Sequence, residues 1–182
     1  VTELDRVPQT DQGVPVLDSN SVKQLRSNHG HWPIALMLAC YTGAMDAGED
    51  SIAEQMWLHE NGPIAVIAGC RVTMPYGNTT AAVGLIDAVY EQRKPRLGDA
   101  WLSSVQAMQQ KQAAESSASG STTRMMIDGL AMMVSPAGSD LVAERCEHSQ
   151  LYNLIGDPTL TLAHPELISM EVEPGFDFGS PI

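Results

Sequence analysis

Basic residues are scarce in this chain. Its 182 residues carry 10 Lys and Arg against 22 Asp and Glu, a formal net charge of −12. A nucleic-acid-binding protein presents a basic face, so this balance argues against nucleic acid as a partner. It favours cationic ligands electrostatically, although most of the carboxylates are expected simply to face water. Long apolar runs are also missing, and none approaches the roughly 18 residues that span a bilayer. Cysteine is sparse and odd in number: Cys40, Cys70 and Cys146 do not make a disulfide framework. No Cys-x-x-Cys or His-Glu-x-x-His occurs, and the five histidines (29, 31, 59, 148, 164) lack metal-ligand spacing. His29-Gly30-His31 is the one pair placed to chelate a metal. The opening residues Val1-Thr2-Glu3-Leu4-Asp5-Arg6 are polar, with no initiator Met and no signal peptide. They read as the start of a mature or excised piece of a longer protein.

What is present is an ordinary globular composition, 43% hydrophobic and 18% charged, long enough for one domain with its own core. The most informative segment is Ile34-Ala35-Leu36-Met37-Leu38-Ala39-Cys40-Tyr41-Thr42-Gly43. Six apolar residues run into a thiol and a small-residue turn, which predicts a buried strand over 34–39 ending in a loop. A cysteine at the carboxyl end of such a strand lies where α/β sheets place their chemistry. The competing reading is a small core residue, since free cysteine is among the most buried types.

Asp50-Ser51 can cap a helix over 51–59, with Glu54 completing a capping box, and Asn61-Gly62-Pro63 stops it. Ile64-Ala65-Val66-Ile67-Ala68-Gly69 is a second apolar strand, ending at Cys70. This strand–helix–strand unit predicts a parallel pair with Cys40 and Cys70 on one sheet edge. The loop Arg71–Asn78 then falls on that edge. Residues 1–33 read as irregular apart from a short helix over 20–27. Further helices are expected over 79–93, 97–112, 124–134 and 139–150. Residues 113–123 read as a low-complexity linker, and the methionines 125, 126, 132 and 133 as core filler.

Three segments in order carry a resemblance. Ala39-Cys40-Tyr41-Thr42-Gly43, then Gly62-Pro63-Ile64-Ala65-Val66-Ile67-Ala68-Gly69, then Tyr152-Asn153-Leu154-Ile155-Gly156-Asp157-Pro158-Thr159-Leu160 together resemble the gingipain-like cysteine peptidases of the caspase-like clan, over residues 4–163. The resemblance implies an α/β fold, a caspase-like three-layer sandwich with a mainly parallel sheet flanked by helices. On that reading residues 1–165 form the peptidase domain, lacking its N-terminal part, and 166–182 an irregular tail or linker. It implies a Cys–His dyad without cofactor, a peptide or protein as substrate, and an exported protein.

Cys40 matches the nucleophile, and its own N–H would be one oxyanion donor. The family's histidine lies in a His-Gly motif upstream of the cysteine. Leu4-Asp5-Arg6 resembles the stretch just after that motif, which places the dyad histidine before Val1, on a companion chain or a missing segment. His29 and His31 fall at the wrong end of strand 34–39, about six residues or 20 Å from Cys40, beyond hydrogen-bond reach.

Cys70, Arg71, Thr73 and Tyr76 share the edge and could shape a substrate groove, or simply build the loop. Asp46, Glu49 and Asp50 could form an acidic pocket for a basic residue before the scissile bond, as family members cleaving after Arg or Lys suggest. Alternatively, Asp50 caps the following helix and the others are solvated. Asp157 is expected to stabilise a Gly-Asp-Pro turn, and His148 to be a packed or surface residue. Two other functions compete. One is a non-catalytic caspase-like scaffold or binding module, separated from a peptidase by the upstream His-Gly and by thiol alkylation. The other is a different α/β hydrolase or transferase with a strand-end cysteine, favoured by activity on small esters alone.

Overall fold

The computed structural model describes residues 17–26, 30–110, 118–164 and 166. The N-terminal stretch to residue 16 with Leu4-Asp5-Arg6, His29, linker residues 113–117 and the tail beyond Glu166 lie outside the described residues. In chain order the elements are α1 (Ser19–Val22), β1 (Ile34–Met37), α2 (Ile52–Leu58), β2 (Ala65–Gly69), α3 (Pro75–Ile86), α4 (Leu97–Gln109), α5 (Ala118–Val134), α6 (Leu141–His148) and β3 (Tyr152–Ile155). A π-helical turn, Asp87–Glu91, continues α3.

Among the described residues the sheet has three strands in the order β1-β2-β3. β1 runs parallel to β2, with Ile34 opposite Ala65 and Met37 opposite Ala68. β2 is apolar throughout because both of its faces are buried. Ala65 and Ile67 pack with Leu85, Leu97 and Met108 of α3 and α4. Val66 and Ala68 pack on the other face with Val22 of α1 and Ile52 and Ala53 of α2. Helices therefore cover both faces, the condition under which a strand reads as a continuous hydrophobic run.

Among the described residues the sheet is mixed, where a mainly parallel one was expected: β3 pairs antiparallel with β2, Gly69 opposite Tyr152 and Val66 opposite Ile155. The reason lies in α6. It ends at the carboxyl edge of β2, where the Leu151 carbonyl accepts the Cys70 N–H at 2.8 Å. A chain entering the sheet from that edge has to run backwards along β2.

The capping box of α2 forms as its pattern predicts. Ser51 Oγ accepts the Glu54 N–H, and Glu54 Oε2 accepts the Ser51 N–H at 2.9 Å. The cap is thus Ser51, which leaves the Asp50 carboxylate unused by the helix. Two other expectations change. Helix α5 begins at Ala118, so the second half of the supposed linker is helical. Met125, Met126, Met132 and Met133 are exposed instead of filling a core. What anchors α5 is polar. Asp128 accepts from Arg124 Nε at 2.9 Å and from the Tyr76 hydroxyl at 2.8 Å. Arg145, buried on α6, donates to that hydroxyl and to the Met108 and Gln110 carbonyls at the end of α4.

Ser51→Ala removes one partner of the capping box and is expected to cost about 1 kcal/mol. Urea unfolding should show a lower midpoint at unchanged slope, and an unchanged midpoint would contradict the role given to the cap.

Candidate active site

The parallel pairing carries both strand ends to one edge and continues past them. The Tyr41 N–H donates to the Arg71 carbonyl at 3.1 Å and the Gly43 N–H to the Gly69 carbonyl at 2.8 Å. Gly69 has no room for a side chain, because a Cβ would sit 2.6 Å from the Ala39 carbonyl oxygen and 3.1 Å from Thr73 Cγ2. Tyr41 takes φ +57°, the left-handed region that a non-glycine residue adopts at a cost. The residue after Cys40 is therefore held in a strained turn.

The carbonyls on either side of Cys40 and Tyr41 have partners. The Leu38 oxygen accepts from Asn78 Nδ2 at 3.2 Å and the Ala39 oxygen from Thr42 Oγ1 at 2.9 Å. The Thr42 oxygen accepts the Ala53 N–H and the Gly43 oxygen accepts Asn153 Nδ2. Asn78 in turn accepts from the Tyr152 hydroxyl. Burial pushes the Tyr152 phenol well above its ordinary range, and negative charge on Cys40 adds to this.

Cys40 is buried, with its sulfur against Thr73. The Thr73 N–H donates to Sγ at 3.3 Å, and Sγ lies 3.4 Å from the Thr73 carbonyl oxygen. Thr73 is itself buried, so it lies beneath the sulfur while its neighbours Val72 and Met74 are exposed. Cys70 is partly exposed at the end of β2. Arg71 and Asp46 meet in a bidentate pair, NH1 to Oδ1 at 3.1 Å and NH2 to Oδ2 at 2.8 Å, joining the loops after Cys40 and Cys70. Tyr76 is buried in the network of Arg145 and Asp128.

A cavity of about 470 Å³ adjoins the turn, lined by Tyr41 together with Asp18, Glu49, Asp50 and Gln55. Of the expected acidic trio, Glu49 and Asp50 reach this cavity, whereas Asp46 is engaged by Arg71. Asp18 joins them as the N-cap of α1, its Oδ1 accepting the Ser21 N–H and hydroxyl at 2.7 Å while its other oxygen is not so engaged. At the far end of β3, Asp157 Oδ1 accepts from the Thr159 N–H and hydroxyl. The Thr159 hydroxyl, more than the amide, holds that carboxyl below its usual range.

Each described histidine has a definite place. His31 precedes β1, and His59 caps α2 at the amino edge, where its Nδ1 accepts the Asn61 N–H. His164 lies against the Lys94 carbonyl. His148 is buried behind the 70–76 loop, with Nε2 accepting the Met74 N–H at 2.6 Å and Nδ1 2.7 Å from the Glu144 carbonyl. An amide only donates and a carbonyl only accepts, so Nδ1 carries the proton and both nitrogens are engaged. Among the described residues no cluster of three metal-ligating side chains occurs, and no helix is long and apolar enough to cross a membrane.

Comparison with known proteins adds a family. The family model described as Peptidase family C25 matches residues 8–163, most of the chain. No curated protein matches, and no solved structure does.

The Asp46 carboxyl is held below the usual carboxylate range, chiefly by the hydrogen bonds from Arg71. A lowered carboxyl adds stability that is full above the ordinary range and lost as pH falls through the lowered value. A carbon-13 titration of Asp46 should therefore show its midpoint rise in Arg71→Gln. Equal midpoints in the two proteins would mean that the pair does not persist in solution.

Proposed function

We propose that this chain, which belongs to peptidase family C25, is the cysteine-bearing part of a catalytic domain that cleaves peptide bonds through an acyl-enzyme on Cys40. Membership makes cysteine peptidase activity the general expectation. The observation that carries the assignment to Cys40 is its position: the end of a buried parallel strand, followed by a strained residue, in a turn whose flanking carbonyls (Leu38, Ala39, Thr42, Gly43) are held by Asn78, Thr42, Ala53 and Asn153. Such over-determined strain is characteristic of catalytic loops. Helices on both faces of the sheet support the caspase-like three-layer sandwich, with residues 1–165 as one domain.

In the proposed reaction a histidine takes the Cys40 S–H proton and the thiolate adds to the scissile carbonyl. The amine leaves with a proton from the imidazolium, and water then hydrolyses the thioester. The histidine comes from outside the described residues, on a companion segment. Both nitrogens of His148 are engaged, and His31 and His59 stand at the opposite sheet edge.

Cleavage after Arg or Lys fits the cavity beside Tyr41, whose Asp18, Glu49 and Asp50 would face a cationic side chain. Asp46 would join them only by exchanging Arg71 for the substrate's cation. Cys70, Arg71 and Tyr41 would border the groove, with Thr73 and Tyr76 supporting it from below. The alternative is a caspase-like scaffold that has kept the fold without the chemistry.

Incubation with arginyl- and lysyl-chloromethylketones, followed by peptide mass mapping, separates the two. A peptidase site should give one adduct on Cys40, none on Cys70 or Cys146, and none in Cys40→Ala. The joint variant Glu49→Gln with Asp50→Asn should slow the arginyl probe about tenfold or more relative to a leucyl probe, as expected for loss of charge-assisted contacts. Indiscriminate or absent labelling would favour the scaffold, and an unchanged probe ratio would remove the cavity from the specificity account.

A further inference from the structure

The sulfur of Cys40 and the amide of Thr73 meet in the interior. The Thr73 N–H points at Sγ across 3.3 Å, the Thr73 carbonyl oxygen lies at 3.4 Å and its hydroxyl at 3.8 Å. Cys40 is 7% exposed and Thr73 5%, so water competes little for these groups. One residue further on, the Met74 N–H is held by Nε2 of His148, and Nδ1 of the same ring is tied to the Glu144 carbonyl. His148 is 1% exposed. Its ring fills the space over Gly77, where any Cβ would overlap it. A buried, fully engaged imidazole thus clamps the Thr73–Met74 peptide unit, whose carbonyl faces the sulfur and which directly follows the unit whose N–H donates to it.

We propose that the Thr73 backbone N–H is the donor that holds the Cys40 thiolate, and that His148 is a positioning residue aiming this N–H through Met74. The proposal rests on the reading of Cys40 as nucleophile. As a thiol, Cys40 donates its S–H to the Thr73 carbonyl. Once the S–H proton has passed to a base or to water, the sulfur can only accept, and the N–H···S bond becomes charge-assisted. Such bonds are roughly twice as strong as neutral ones, so in its nucleophilic thiolate form the sulfur is held by the Thr73 N–H. The site then contains a charge-holding donor that is separate from the imidazole removing the proton, and His148 serves catalysis without touching a reacting atom.

Other ionisable groups surround the sulfur. The Tyr152 phenol on β3 is sensitive to its charge. Arg71 and Asp46, on the loops after β2 and β1, neutralise each other. His148 and Glu144 stand on α6 behind the Met74 and Gly77 amides. A pH-dependent signal at Thr73 must therefore be shown to come from Cys40.

The test is a proton–nitrogen NMR titration of the whole chain, alongside iodoacetamide alkylation of Cys40 measured by peptide mass spectrometry over the same pH range. The Thr73 amide resonance should move downfield with the pH profile of Cys40 alkylation and stay flat in Cys40→Ala. His148→Leu should lower alkylation of Cys40 at neutral pH about tenfold, the scale of one lost hydrogen bond to a charged group. His148→Gln, which keeps an acceptor for Met74, should restore most of it. If His148→Leu does not fold, the comparison of native chain and Cys40→Ala decides alone. A Thr73 amide that ignores pH, or moves equally in Cys40→Ala, overturns the proposal. Chloromethylketone mapping keeps the two ideas apart. An adduct on Cys40 with a flat Thr73 amide refutes the donor only. A titrating amide without an adduct upholds the contact and removes the catalytic role on which its meaning depends.

Discussion

The parallel register of β1 on β2 is the constraint on which the rest depends. With Met37 opposite Ala68, both chains leave the sheet side by side, and the ladder continues through Tyr41 to Arg71 and Gly43 to Gly69. That extension brings Cys40 over the residue four beyond Gly69, which is Thr73. A slip of one residue would turn Ile67 out of one apolar cluster and Val66 out of the other. Since both residues are fully buried, such a slip would forfeit several kcal/mol of burial. The hydrophobic pattern of β2 thereby fixes the position of a sulfur atom well beyond the strand.

Polar groups complete what the apolar core begins. Asn78, Asn153 and Thr42 satisfy carbonyls of the Cys40 turn, and the Tyr76, Asp128 and Arg145 network seats α5 and α6 on the ends of α3 and α4. Removing one member of such a network leaves the others buried without partners, which is costlier than the net worth of any single bond. The two polar systems converge on the 70–76 loop. His148 grips it at Met74, and Tyr76 anchors its junction with α3.

The parts legible in the sequence are those coded locally. Six consecutive apolar residues before Cys40 and before Cys70 admit a strand buried on both faces, and Ser51 with Glu54 is a complete helix start within four residues. The strand β3 was not legible as such. It is four residues long and contains Asn153, whose amide serves the Gly43 carbonyl 110 residues away. The start of α5 was hidden by serine, glycine and threonine, since its anchor is a contact between Asp128 and Tyr76, 52 positions apart. Asp50 looked like a cap because it precedes a helix, yet the serine beside it forms the reciprocal pair. Thr73 read only as one of several loop residues that could shape a groove, and His148 only as a packed or surface histidine. Their significance comes from the sulfur and the Met74 amide, which only the folded chain brings to them.

The most direct measurement is acid-quench mass spectrometry of the protein incubated with an arginyl thioester or activated ester, followed by peptide mapping. An acyl group on Cys40, absent from Cys40→Ala, is the expected result. An acyl group on Cys70 or Cys146, or on no cysteine at all, would contradict the assignment of the reacting thiol to the end of β1.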